Sequence, residues 1–351
     1  MNKIFNSIKK IEVLFLSTTS LFLVSSCSSN NPYKSYDFKY WNNCKALTEI
    51  TDYVKDVTNP SSENFVPIND RIVTFDMDGT LFGERSPIYI EWMFYQEYFD
   101  NYFEGDKDHQ ITYNANGINR TISLRETYNE IEKFAKGNED PYLEMDEAHC
   151  GAYLFSNITI QKYIEDVKNY LNKDSEYFNN LKLKDMFYLP MKEIVSFLQL
   201  NNFTTYICSG TDRFMCRTIA CKVLNIPVNH VIGMDVSLYM DENHQMTRGD
   251  KLIYKNVKAV KSELITQEIG KKPILSFGNS SGDIEMHRLA IKGNNYKAKA
   301  FMLVADDMVR ERGYTPSEIE KRTKNWGEFE LISMKDNWKT IYGDNVTLRN
   351  T

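Results

Sequence analysis

The chain has 351 residues, 42% of them hydrophobic and 26% charged. At about 100–200 residues per domain, this allows one large domain or two ordinary ones and excludes a disordered, collagen-like or coiled-coil chain. The net charge of −6 offers no basic footprint, so no nucleic-acid partner is expected.

Lys3, Lys9 and Lys10 form a positive start, followed by an apolar stretch from Val13 to Val24. That stretch is shorter than the ~20 apolar residues a bilayer-spanning helix needs, and suits a signal-peptide core. Val24-Ser25-Ser26-Cys27 resembles the bacterial lipoprotein lipobox. The expectation is a lipoprotein signal peptide over residues 1–26, Cys27 as the lipidated first residue, and a cell-envelope protein held at the membrane by that anchor. Loss of residues 1–26, which carry Lys3, Lys9, Lys10 and Glu12, would take the net charge from −6 to −8. Cys44, Cys150, Cys208, Cys216 and Cys221 would remain; their spacing is irregular, without a CxxC, so a zinc site is not expected.

Residues 27–64 read as a tether and an N-terminal helix, with Leu47, Ile50, Val54 and Val57 at helical spacing over 37–58. Arg71-Ile72-Val73-Thr74-Phe75 reads as a buried strand entering Asp76. Residues 85–189 hold helical stretches such as 87–103, 123–136 and 158–172, with few strand-like runs. From Pro190 strands and helices alternate: helix, strand 204–208, helix 212–225, strand 230–236, a polar hairpin over 237–256, helix 259–269, strand 274–277, helix 283–291 and strand 300–304. That alternation predicts βαβ units and a parallel sheet. The expected plan is an α/β core over 65–84 and 190–351, interrupted by a mainly helical cap at 85–189.

Four strand ends carry the chemistry. In Phe75-Asp76-Met77-Asp78-Gly79-Thr80-Leu81, two carboxylates two apart follow a buried strand; extended-chain alternation points both the same way. One can act as nucleophile and the other as proton carrier. Cys208-Ser209-Gly210-Thr211 supplies a hydroxyl and backbone N–H groups able to hold a phosphate oxygen. Lys261, at a helix start with Lys258 one turn before, is a candidate fixed cation. Gly278-Asn279-Ser280-Ser281-Gly282-Asp283 follows another strand and offers two oxygen ligands four residues apart.

In these motifs and their order, the sequence resembles the haloacid dehalogenase (HAD) superfamily of phosphohydrolases over roughly residues 70–305, most closely its phosphoserine phosphatase-like members with a helical cap. The resemblance implies a Rossmann-like parallel sheet and a Mg²⁺-dependent phosphomonoester hydrolase acting on a small phosphorylated metabolite. Asp76 would be the nucleophile and Asp78 the general acid/base; Ser209, Gly210 and Lys261 would bind phosphate. Asp76, Asp78 through its main-chain carbonyl, and Asn279 and/or Asp283 would hold the metal. Asn279 stands where those relatives usually carry Asp. Glu84 lies one residue short of their substrate-ammonium ligand. Phosphoserine is the first substrate candidate and phosphocholine the second. A phosphomutase and a non-catalytic surface lipoprotein are the alternatives. Tyr89, Trp92, Tyr95, Tyr98 and Phe99 read either as packing core or as a cation–π pocket for a quaternary amine. Trp326 and Trp338 read as packing anchors.

Overall fold

The computed structural model describes residues 33–84, 88–115, 117–135 and 141–349. The expected signal peptide and Cys27 lie outside them. Among the described residues no helix is long and apolar enough to cross a membrane.

Helix α1 (Lys45–Thr58) buries Ile50, Val54 and Val57 as their spacing in the sequence predicts, together with Tyr53, while Leu47 is half-buried. It starts at Lys45 rather than at residue 37. The backbone N–H groups of Lys39 and Tyr40 are taken by the Glu193 carboxylate, which withdraws them from any helical ladder. The stretch before α1 is therefore more than a tether. Tyr33, Tyr36 and Phe38 pack around Phe197, and Trp41 meets Trp338 edge-on.

Strand β1 (Ile72–Phe75) is buried along its whole length and leads into the insert. The insert holds α2 (Ile90–Asn101), β2 (Gln110–Ala115), β3 (Ile118–Ser123), α3 (Leu124–Ala135), α4 (Leu143–Leu154), α5 (Ile160–Leu171) and β4 (Phe178–Asn179). The β2–β3 antiparallel hairpin departs from the helical expectation for this region. Its strands bury only Tyr113, Ile122 and Ser123, so the period-2 signal in the sequence is weak. The core of the insert is aromatic: Phe155 lies against Phe94, Tyr95 and Tyr163.

The chain continues through α6 (Leu189–Leu200), β5 (Thr204–Asp212), α7 (Arg213–Leu224), β6 (Val231–Met240), β7 (Met246–Tyr254), α8 (Ala259–Ile269), β8 (Leu275–Gly278), α9 (Ile284–Ile291) and β9 (Lys299–Val304). It ends with α10 (Pro316–Thr323), β10 (Glu330–Ser333), α11 (Met334–Asn337) and β11 (Thr347–Leu348), which pairs with β4. Trp326 and Trp338 are buried.

Seven strands form one sheet in the order β10-β9-β8-β1-β5-β6-β7. Each neighbouring pair is parallel except β6 and β7, which form the expected hairpin. The fold is α/β: a Rossmann-like, mostly parallel sheet with a helix-rich insertion between β1 and α6. Phe75, Phe277 and Phe301 stack across three adjacent strands, at 4.6 and 5.2 Å between ring centroids, and set the register of the sheet's centre. β1 lies between β8 and β5, where the strand order reverses. In open α/β sheets the crevice at the carboxyl ends of such strands is where ligands bind.

Candidate active site

Asp76 leaves the end of β1, its N–H bonded to the Phe277 carbonyl at 2.9 Å. The next residues turn tightly, with the N–H groups of Thr80, Leu81 and Phe82 all directed at the Met77 carbonyl. Gly79 has a φ of 75°, and a Cβ there would lie 1.9 Å from Asn279 Nδ2 and 2.1 Å from Glu84 Oε2. Only glycine lets this turn pass so close to the β8 loop. Asp76 and Asp78 line one cavity of about 80 Å³, with Glu84, Tyr89, Glu91, Trp92, Glu144, Gly210, Thr211, Lys255, Lys261 and Asn279 also on its wall.

Lys261 is the lysine that reaches the site. Its Nζ donates to Asp76 Oδ1 at 2.5 Å and to Asp283 Oδ1 at 2.6 Å. Lys258 instead caps α8 with a φ of 55°. Burial pushes the Asp76 carboxyl well above the usual range against the pull of Lys261, and the Asp283 and Asp78 charges add to the rise. Burial would also raise Asp283, yet the Lys261 ammonium holds it below the usual range.

Asp283 is occupied by the loop. Its Oδ2 accepts the Asn279 and Ser280 N–H groups, both at 3.0 Å, and the Ser280 hydroxyl at 3.1 Å. It is absent from the cavity wall, whereas Asn279 is on it. The Thr80 hydroxyl lies 3.3 Å from Asp76 Oδ2 and 3.5 Å from Asn279 Oδ1, and so stands between the two side chains. Asn279 Nδ2 donates to Glu84 Oε2, which turns the amide oxygen the other way. Among the described residues no three Asp, Glu, His or Cys side chains form a metal cage. Asp76 and Asn279 nonetheless line the same cavity and offer hard oxygen donors of the kind Mg²⁺ takes, so by donor chemistry these residues fit that ion.

Asp78 accepts the Thr211 hydroxyl on Oδ2 at 2.7 Å and the Ser209 hydroxyl at 3.4 Å. Its Oδ1 is buried without a hydrogen-bond partner among the described residues. Burial pushes the Asp78 carboxyl up to about 7, with Thr211 pulling the other way. An acid that is half protonated near neutral pH is suited to proton transfer.

Ser209 is placed beside Asp78 rather than on the cavity wall, and its hydroxyl also accepts the Thr211 N–H at 3.1 Å. β5 runs on through Ser209, Gly210 and Thr211 with an irregular register between Cys208 and Asp212, so Gly210 and Thr211 reach the cavity. Thr211 was legible only as a small polar residue after a strand. Glu91 and Lys255 carried no sequence signal. The aromatic run divides: Tyr95 and Phe99 are buried in the insert and Tyr98 packs on Phe155, while Tyr89, just before α2, and Trp92, 5.1 Å apart and edge to face, line the cavity. Glu84 is on the wall, held by Asn279, and its charge also acts on Tyr89. Asp306 and Asp307 serve loops: Asp306 accepts the Ser333 hydroxyl and the Lys335 N–H, and Asp307 the Val309 and Arg310 N–H groups. Cys44, Cys150, Cys208, Cys216 and Cys221 are free thiols.

No family model and no curated protein matches the sequence. Solved structures do. A conserved functionally unknown protein from Anaerococcus prevotii DSM 20548 matches with a TM-score of 0.53 at 14% identity, over 86% of this chain and 94% of that one. A phosphoserine phosphohydrolase-like protein from Francisella tularensis subsp. tularensis SCHU S4 matches with a TM-score of 0.42 at 14% identity, over 76% and 95%. Cytosolic 5'-nucleotidase IIIB, solved bound to cytidine, matches with a TM-score of 0.47 at 11% identity, over 83% and 85%. At 14% identity, the likeness to the first of these is one of fold.

Proposed function

We propose that the protein is a HAD-type, Mg²⁺-dependent phosphomonoester hydrolase acting through an aspartyl-phosphate on Asp76. The observation that carries this reading is the division of labour between the two aspartates. Burial raises both carboxyls, and what separates them is the partner: Asp76 bonds the Lys261 ammonium at 2.5 Å, while Asp78, two residues on, accepts the Thr211 hydroxyl at 2.7 Å and is pushed up to about 7. A buried carboxylate beside a fixed cation suits nucleophilic attack on phosphorus; a carboxyl protonated near neutral pH suits delivery of a proton to the leaving group.

Asp76 attacks phosphorus as the bond to the leaving oxygen breaks, and Asp78 gives that oxygen its proton. Asp78 then takes a proton from the water that attacks the aspartyl-phosphate, which releases inorganic phosphate and restores Asp76. Lys261 and the Gly210 N–H hold the transferring oxygens, with Ser209 supporting Asp78 from behind. Asp76, Asn279 and the Asp78 main-chain carbonyl would hold Mg²⁺, whose charge offsets repulsion between carboxylate and phosphate. Asp283 would act by positioning Lys261 and the Asn279 loop.

The wall assigned to the leaving group is acidic and aromatic: Glu84, Glu91 and Glu144 share the cavity with Tyr89 and Trp92, Glu91 being paired with Lys255. An alcohol carrying an ammonium group suits that wall. This favours a phosphoserine-type substrate first and a phosphocholine-type substrate second; a phosphomutase would also need water kept away from the aspartyl-phosphate. The lipobox-like start adds lipid anchoring through Cys27 at the cell envelope. The test is phosphate release from a panel of phosphorylated amino alcohols and sugars, by wild type and Asp76→Asn, with and without Mg²⁺. Release by wild type only, and only with Mg²⁺, is expected. Equal release by Asp76→Asn would overturn the nucleophile assignment, and no release from any substrate would leave the binding-only lipoprotein.

A further inference from the structure

A second buried charge cluster lies against the cavity and takes no part in the steps above. Lys255, just past β7, is only 6% exposed and forms part of the cavity wall. Its Nζ donates to Glu91 of α2 at 3.2 Å and to Glu147 of α4 at 3.4 Å. Both carboxylates belong to the insert and both are buried. Lys255 itself is rooted in the sheet layer, where the side chain of the next residue, Asn256, donates to the Ile232 carbonyl of β6 at 2.8 Å.

The same seam is stitched elsewhere. The other Glu91 oxygen accepts the Asp212 N–H at the end of β5, at 2.6 Å. Asp212 pairs with the fully buried Arg248 of β7 at 2.7 Å, and the Arg248 guanidinium lies 4.1 Å from the ring centroid of Tyr163 on α5. The Asn157 N–H donates to the Arg248 carbonyl at 2.8 Å, and the Arg248 N–H to the Ile158 carbonyl at 2.9 Å. The turn between α4 and α5 is thus added to the edge of β7.

Like Lys261, Lys255 faces two carboxylates, but both of its partners belong to the insert. Burial pushes Glu147 up to about 8 against the pull of Lys255. Burial alone would lower Lys255, but Glu91 and Glu147 raise it above its ordinary value. Taking Lys255 away would leave two buried acids facing each other without a cation, which is costly. The two acids are also well placed to carry a consequence to the site. Glu91 is next to Trp92 in sequence, and Glu147 is one helical turn from Glu144; Trp92 and Glu144 both line the cavity.

We propose that Lys255 is a positioning residue: by clamping Glu91 and Glu147 it fixes Trp92 and Glu144, and with them the leaving-group wall of the cavity. The proposal rests on the phosphatase reading for the meaning of that wall, but not for the clamp itself. Lys255 also lies near Gly210, whose added Cβ would be 3.8 Å from Lys255 Cε, so direct contact with phosphate is the reading it must be separated from.

The experiment compares wild type, Lys255→Met and Lys255→Arg in the mature chain. Amide hydrogen exchange in α2 and α4 is expected to quicken at least tenfold in Lys255→Met, with β1 and α8 unchanged, and to return toward wild type in Lys255→Arg. Inorganic phosphate affinity, measured by calorimetry with Mg²⁺, is expected to stay within about twofold. KM for a phosphorylated amino alcohol is expected to rise about tenfold, more than kcat falls. Unchanged exchange in α2 and α4 would overturn the clamp. Phosphate affinity weakened tenfold with unchanged exchange would make Lys255 a phosphate ligand instead. If wild type turns over no substrate, the phosphatase reading fails while exchange still decides the clamp. Should Lys255→Met not fold, Lys255→Gln, which keeps a donor but no charge, carries the same comparison.

Discussion

The Thr211 hydroxyl donates to Asp78 at 2.7 Å, and it is the shortest hydrogen bond made to the carboxyl assigned the proton-transfer role. That bond favours the ionised form, while burial favours the protonated form and wins, leaving the group at about 7. The acid must start protonated, so kcat is expected to fall as pH rises through about 7. Thr211→Val removes the bond and raises the carboxyl further, which moves this limb of the kcat profile to higher pH. A hydrogen bond to a charged group contributes about 1.5–3 kcal/mol, so a displacement of about one unit or more is expected. A limb that stays in place would remove Asp78 from the role.

Lys261→Met is expected to cost both activity and stability. Asp76 and Asp283 would lose the ammonium that bonds both, at 2.5 and 2.6 Å. Breaking a buried ion pair from one side costs about 3–5 kcal/mol, and loss of a fixed charge at a phosphoryl group costs on the order of 10²–10³ in kcat. Urea unfolding and steady-state kinetics measure the two. Wild-type stability would show that the pair is not formed in solution.

Asn279→Ala removes the amide oxygen that shares the Thr80 hydroxyl with Asp76 Oδ2. The Mg²⁺ concentration for half-maximal activity is expected to rise at least tenfold, and chelation by EDTA to abolish activity in the wild type. Activity insensitive to EDTA would remove the metal from the mechanism.

His287 is buried, its Nδ1 2.7 Å from the Ser276 hydroxyl, and burial pushes it down to about 4. The unfolded chain binds the proton more tightly than the folded one between about 4 and 6.5. Stability is therefore lost as pH falls through that window and is flat below it. The loss is about 3 kcal/mol across the window, and His287→Gln is expected to flatten it. Chemical unfolding at several pH values measures both.

The anchor is tested separately. Radiolabelled acyl incorporation and partition into the membrane fraction are expected for the wild type and lost in Cys27→Ser. Labelling that survives the substitution would place the lipid elsewhere or exclude it.

Most of the parallel sheet was legible because its strands are short β-branched and apolar runs between helices of 11 or 12 residues, such as α7 and α8. The motif ends of β1 and β8 were legible because chemistry there is written in consecutive residues. The β2–β3 hairpin was not, since it buries too few side chains to impose alternation. The start of α1 was missed because Glu193, more than 150 residues away in sequence, takes the N–H groups a longer helix would have used.

By itself, the sequence determined that Asp76 and Asp78 follow a buried strand, that Lys261 opens a helix, and that Asn279 and Asp283 flank a short Ser-Ser-Gly loop, because each fact depends only on near neighbours. Tertiary structure alone decided how the candidates divide. It put Asn279 on the cavity wall and turned Asp283 back onto its own loop. It separated Tyr89 and Trp92 at the wall from Tyr95 and Phe99 in the core. It also brought Lys255 to Glu91 and Glu147, residues 164 and 108 positions away. Burial and pairing of charge are properties of what the whole chain packs around a group, and no local pattern of residues encodes them.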